Sequence, residues 1–254
     1  MTSCIRLRKE NNLARITLSK PPLNIFDTEN LLCLKKILED LSEEKDLKLI
    51  VIDSDQKVFS AGVDVQEHEE SRFVEMLRAF HGIFEALLKL DVLTLSIVRS
   101  GCFGGGYELA LFCDLTIASH SAYFSHPEIK LGCYPPLSLV YLPEITGNKK
   151  AIELIMTGER LYAEDALKLG LINHVFGEDE FEEKTEEFIE KILSNSASVM
   201  NVTLSAYKKI NFPDIKQKLE IAEKIYTEKL IKLDDSKEGM MSFLEKRSPV
   251  WKNS

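Results

Sequence analysis

Hydrophobic and polar positions alternate at the start of the chain and then change period. Ile5 and Leu7 alternate with charged residues over 5–9, and Ala14, Ile16 and Leu18 alternate over 13–18. Period two is a strand signal, and the turn Glu10-Asn11-Asn12 makes the two runs a hairpin. After Pro21-Pro22, Leu31, Leu32, Leu34, Ile37, Leu38 and Leu41 fall near helical spacing, with Asp27 or Thr28 at the cap position. Leu49-Ile50-Val51-Ile52 is continuously apolar, as expected of a strand buried on both faces. A polar stretch over 66–72 leads to a helix ending near Leu90. Strands then follow at 93–98 and 115–118, with a helix opening at Gly104 between them.

Strand–strand–helix units of this kind predict an α/β layer structure. Beyond about residue 150 strand patterns nearly vanish, and 151–157, 163–168, 179–194, 196–209, 215–233 and 236–246 all read as helical. A soft boundary near 194–198 divides a core, 1–195, from a helical region, 196–254. The latter is amphipathic and requires a surface to pack on. No low-complexity segment or long-period repeat is present.

Composition narrows the function. The 254 residues carry 41 acidic and 32 basic side chains, a formal charge of −9. Duplex binding depends on Lys and Arg neutralising phosphates, so nucleic acid is a poor expectation for the chain as a whole. Lys208, Lys209, Lys216 and Lys218 read as a solvated helix face. Cys4, Cys33, Cys102, Cys113 and Cys133 form no CxxC pair and no metal-ligand spacing with His, so neither zinc nor another metal is expected. Five scattered cysteines fit a reducing compartment. The start Met1-Thr2-Ser3-Cys4-Ile5-Arg6 lacks a signal pattern, and no apolar run reaches ~18 residues. The expectation is a cytoplasmic protein without a membrane partner.

Candidate chemistry gathers at three places. Gly104-Gly105-Gly106 opens a helix that carries Glu108 among apolar neighbours. Free N–H groups at such a start can face an anion, although a tight turn alone would use the same glycines, and G-x-G-x-x-G spacing is absent. Phe59-Ser60-Ala61-Gly62-Val63-Asp64 is a second small-residue turn, in which Asp64 also suits a helix cap. Glu128 follows Pro127 and stands 20 positions after Glu108. His126, before the proline, reads as structural or as a third participant. Two carboxylates can divide base and acid roles, and two backbone N–H groups can hold a developing oxyanion.

The order of these motifs resembles the crotonase (enoyl-CoA hydratase/isomerase) superfamily over essentially the whole chain. It includes residues 13–18, 22–24, 60–64, 101–114, 127–132, 154–158, 163–175, 238–240 and 243–247. The resemblance implies a spiral of repeated ββα units with a C-terminal helical trimerisation region, and a homotrimer or dimer of trimers. It implies an oxyanion hole from the N–H groups of Val63 and Gly105, with Glu108 and Glu128 acting on one water. Coenzyme A, part of the substrate and not a separate cofactor, would run along Ser60, Ala61, Gly62, Asp64 and Val65. Phe243 and Lys246 match positions that hold it from a neighbouring subunit, while Gln66 stands where many relatives carry Lys.

Residues Cys133, Tyr134 and Pro135 replace a glycine-rich stretch beside the expected acyl pocket. Together with residues 21–27 and 59–65, they resemble the cyclohexa-1,5-diene-1-carbonyl-CoA hydratase branch. That branch implies conversion of the ring diene to 6-hydroxycyclohex-1-ene-1-carbonyl-CoA in aromatic compound degradation. A linear enoyl-CoA hydratase or isomerase is the alternative, and a non-catalytic acyl-CoA or RNA-binding relative a further one.

Overall fold

A computed structural model describes residues 4–68 and 72–254. Residues 1–3 of the N-terminal reading and residues 69–71 of the polar stretch lie outside the described residues. The opening alternation forms an antiparallel hairpin of β1 (Ile5–Glu10) and β2 (Leu13–Leu18), with Ile5 opposite Leu18 and Glu10 opposite Leu13. Next comes α1 (Thr28–Ser42), capped by Asp27, whose side chain accepts the Asn30 N–H at 2.8 Å. Its buried stripe is Leu31, Leu34, Leu38 and Leu41, the period-3.6 set, while Leu32 is exposed.

The continuous apolar run becomes β3 (Leu49–Ser54), followed by α2 (Phe73–Lys89), β4 (Leu93–Val98), β5 (Gly101–Phe103), α3 (Gly105–Phe112), β6 (Leu115–Ser119) and β7 (Tyr123–Ser125). Helices α4 (Pro136–Thr146) and α5 (Asn148–Thr157) precede β8 (Leu161–Tyr162), α6 (Ala163–Lys168), β9 (His174–Phe176) and α7 (Phe181–Leu193). The chain ends with α8 (Ala197–Asn211), α9 (Ile215–Glu228) and α10 (Asp234–Leu244).

The main sheet has the order β1-β2-β3-β4-β6-β9 and is parallel from β2 onward. A smaller sheet, β5-β7-β8, is continued by single bridges from Ser60 to Cys102 and from Phe26 to Val63. Strands β2, β3, β4 and β6 of the large sheet therefore each hand the chain to the small-sheet layer before a helix returns it. This is the expected ββα spiral.

Strand β3 is sandwiched as its composition required. Ile50 and Ile52 face the core beneath α1 and α2, whereas Leu49 and Val51 join Leu95, Ile97 and Ile117 against Phe181, Ile189 and Ile192 of α7. These four residues of β3 are fully buried. At about 1.5–3 kcal/mol for each large aliphatic side chain, these two layers supply a rigid floor for the loops at the strand ends.

Several expectations need correction. Two short strands occur after residue 150, and β9 forms the edge of the main sheet. Two or three residues are too short to establish a period. Helix α4 was not foreseen because it begins at Pro135-Pro136 and contains Pro143. The helix expected over 215–233 ends at Glu228 and resumes as a 3-10 turn, Leu230–Lys232. Lys208 is not a solvated charge: it donates to the carbonyls of Leu87 and Leu90 at 2.9 Å and pairs with Asp114 at 3.4 Å, pinning α8 to the core. Ile215, Leu219, Ala222 and Tyr226 of α9 belong to the same core as Ile50 and Ile52.

Candidate active site

The two small-residue turns meet at the edge of the small sheet. Residues 60–64 are fixed from both sides. Ser60 donates its hydroxyl to the Asn24 carbonyl and accepts the Gly62 N–H, and Ala61 N–H donates to Leu23. Phe26 N–H donates to Gly62, and Asp64 N–H donates to Phe26. Asn24 completes this scaffold by donating to the Ser54 hydroxyl and the Phe59 carbonyl. Within that frame the Val63 N–H has no protein acceptor among the described residues.

Gly105 is the first residue of α3, where N–H groups lack an intrahelical acceptor, and its N–H also has no protein partner. A Cβ built on Gly62 would stand 3.2 Å from the Gly105 nitrogen, so the two turns touch. A Cβ on Gly105 itself would meet Phe80 at 2.9 Å and Val63 at 3.0 Å. Glycine is what lets the helix start approach the Val63 turn this closely.

One turn into α3, Glu108 is 2% exposed, and its Oε1 accepts the Ser138 N–H at the start of α4 at 2.8 Å. Burial, then the neighbouring charge of Glu128, push its carboxyl well above the usual range; backbone hydrogen bonds from Ser138 and Leu137 oppose that shift.

Glu128 arrives from a 3-10 turn, Pro127–Leu131, whose Pro127 fixes the entry and whose Gly132 ends it in the left-handed region. Its Oε1 faces Gly104, where an added Cβ would be 2.8 Å away. Gly104 has φ +50°, and glycine permits both that conformation and the approach.

Glu108, Glu128, Val63 and Gly105 line one cavity of 390 Å³. Its apolar walls include Phe73, Met76, Leu77 and Phe80 of α2, Tyr134 to Pro136, and Tyr226 of α9. Tyr226 stacks on Phe73 at 4.9 Å and meets Tyr134 edge-on at 4.8 Å. Tyr134 is anchored by donating its hydroxyl to the Ala222 carbonyl at 2.7 Å. The arrangement puts two carboxyl groups of unlike surroundings and two unpaired N–H donors on the lining of one mostly apolar chamber. Such a chamber can hold an acyl group, polarise its carbonyl and move protons at adjacent carbons.

The sequence profile of the enoyl-CoA hydratase/isomerase family matches residues 8–254. The chain belongs to this family. It is 33% identical over 247 residues to the cyclohexa-1,5-dienecarbonyl-CoA hydratase of Thauera aromatica, covering 97% of this chain and 95% of that one. It is 29% identical over 264 residues to the carnitinyl-CoA dehydratase of Escherichia coli K12, covering 99% of each. A crystal structure of an enoyl-CoA hydratase from Mycobacterium avium subsp. paratuberculosis K-10 superposes with a TM-score of 0.90 at 22% identity, covering 99% of both chains, and shows the shared fold. Relatives named as hydratases and dehydratases support the expected hydro-lyase class.

Within this family member, the residues singled out for coenzyme A divide. Ala61, Gly62, Val65 and Phe243 line the cavity, and Phe243 does so in its own chain. Ser60 is fully buried beneath the turn as a scaffold group, and Asp64 caps the next turn by accepting the Gln66 N–H at 3.0 Å. Lys246 lies outside the cavity lining. Cys133, Tyr134 and Pro135 are all at the wall; burial pushes the Cys133 thiol up to about 12.

Sequence reasoning missed Tyr226, Met240, Lys130 and His68. His68 lines the cavity with Nδ1 3.1 Å from the Asp64 carbonyl, and burial lowers its pKa. No local pattern distinguishes Tyr226 from other residues on an amphipathic helix. Among the described residues no His, Cys, Asp and Glu cluster could hold a metal ion, and no helix is long and apolar enough to cross a membrane.

Proposed function

We propose that this protein is a hydratase for an unsaturated acyl-CoA, with cyclohexa-1,5-diene-1-carbonyl-CoA as substrate and 6-hydroxycyclohex-1-ene-1-carbonyl-CoA as product. The observation that carries the reading is the convergence of Glu108 and Glu128 on the cavity that Val63 and Gly105 share. The thioester oxygen accepts from the Val63 and Gly105 N–H groups, which stabilise the enolate; one such donor contributes about 3 kcal/mol to lowering a barrier of this type. Burial pushes the Glu108 carboxyl well above its usual range, so we assign Glu108 as the acid and Glu128 as the base. Glu128 takes a proton from water as the oxygen bonds to the ring carbon β to the thioester. Electrons shift through the diene, and Glu108 delivers its proton to the far end of the conjugated system.

The ring substrate is supported by the flat aromatic wall of Phe73, Tyr134 and Tyr226, and by the Thauera relative. Coenzyme A would leave along residues 61–65 toward Phe243. A trimer or paired trimers is part of the proposal, supported by the exposed Val199, Val202 and Ile210 of α8. Side-by-side hydration assays with the cyclic dienoyl-CoA and crotonyl-CoA, products resolved by mass and chromatography, test it. The expected result is preference for the diene. Preference for crotonyl-CoA would make the protein a linear enoyl-CoA hydratase, and reaction with neither would overturn the reading.

A further inference from the structure

His126 is 1% exposed, its ring stacked on Tyr107 at 4.5 Å. Neither ring nitrogen has a hydrogen-bond partner, and the same is true of the Tyr107 hydroxyl and of Glu128 Oε2, all of them buried. Buried polar atoms left unpaired are costly, and here they stand together behind one catalytic carboxylate. His126 Nδ1 is 3.7 Å from Glu128 Oε2. The other carboxylate oxygen, Oε1, is the one over Gly104. The carboxylate therefore sits in a slot: Oε1 toward the Gly104–Gly105 turn and the cavity, Oε2 toward the imidazole.

We propose that His126 is a positioning residue whose Nδ1–H holds Glu128 Oε2, leaving Oε1 as the oxygen that exchanges the proton with water. The inference deepens the two-carboxylate reading and rests on it. The assignment follows from chemistry. An ionised carboxylate only accepts, so a stable contact needs a proton on the nitrogen that faces it. The 3.7 Å separation is slightly beyond a hydrogen bond and closes by a small rotation of either group. Stacking on Tyr107 sets the plane of the ring, and Pro127 fixes the backbone between the ring and the carboxylate. The other titratable groups facing Glu128 are Glu108 from α3, His68 from the 3-10 turn after residue 64, Cys133 and Tyr226.

Two variants separate positioning from packing. His126→Phe keeps a flat ring on Tyr107 and removes the donor, whereas His126→Asn places an amide N–H near the Nδ1 position. The expected result for His126→Phe is a kcat about 100-fold lower at unchanged KM, the usual cost of misplacing a reacting group by an ångström. His126→Asn recovers most of that loss. A second readout needs no substrate. In protein labelled with carboxyl-13C glutamate, the Glu128 resonance is assigned by its disappearance in Glu128→Gln, then titrated. Loss of a donor to the charged form raises its midpoint, by about one pH unit in His126→Phe. An unchanged midpoint, or equal kcat losses in the Phe and Asn variants, would overturn the proposal. If the wild-type protein hydrates no thioester, the functional reading fails, while the titration still decides the role of His126.

Discussion

Glu108 and Glu128 reach one cavity on supports of opposite character. Glu108 is inside a helix whose eight residues are all buried, and its carboxylate meets the backbone N–H of another helix. Glu128 projects from a five-residue 3-10 turn with no fully buried residue, and its side chain keeps 14% exposure. Two residues of one type thus meet unlike surroundings, and burial pushes the Glu108 carboxyl well above its usual range. In the proposed hydration this difference in surroundings, rather than the presence of two acids, is what divides the acid role from the base role.

The comparison breaks most directly at the carboxylates. Glu108→Gln and Glu128→Gln should each lower hydration about 10³-fold while binding of a saturated acyl-CoA, followed by calorimetry, changes little. Full activity in Glu108→Gln would end the two-carboxylate mechanism. The next largest effect is expected at Gly104→Ala, which strains a φ of +50° and pushes a methyl group toward Glu128 Oε1. Turnover should fall ~10–100-fold and stability by about 1–3 kcal/mol, read by steady-state kinetics and urea unfolding.

Stability against pH sharpens the contrast. Folded Glu108 holds its proton more tightly than the unfolded chain does, so its contribution is complete below the ordinary value of 4.5. It is lost as pH rises from there through the raised folded value, at a slope of up to about 1.4 kcal/mol per pH unit. Glu108→Gln should lack that slope and melt above the wild type at alkaline pH. Melting curves that stay parallel across pH would place the proton elsewhere. The smallest effect is expected for Tyr134→Phe, which removes one hydrogen bond to Ala222 and should cost about 1 kcal/mol in unfolding free energy.

Much of this was legible in the chain. The Ala14-Ile16-Leu18 alternation, the leucine stripe of α1 and the unbroken 49–52 run report burial directly, because each is long enough to express a period. Gly104 to Glu108 and Pro127-Glu128 were readable for a different reason: glycine and proline restrict the backbone so strongly that their positions carry geometry. Contacts between distant segments were not readable. Tyr226 reaches Phe73 across 153 sequence positions, and nothing local to either marks the meeting. His126 was readable only as two alternatives and His68 not at all, since a single imidazole reveals its neighbours only after folding. Lys208 was misread because a lysine with a largely buried side chain and a paired head has the same local sequence as one in water.

The wall contributed by α9 and α10 has a consequence for truncation. Val63, Gly105, Glu108 and Glu128 all precede α4, but Tyr226, Met240 and Phe243 come from the two helices α9 and α10. A chain cut before α9 would keep both carboxylates yet lose this wall, leaving one side of the chamber to water.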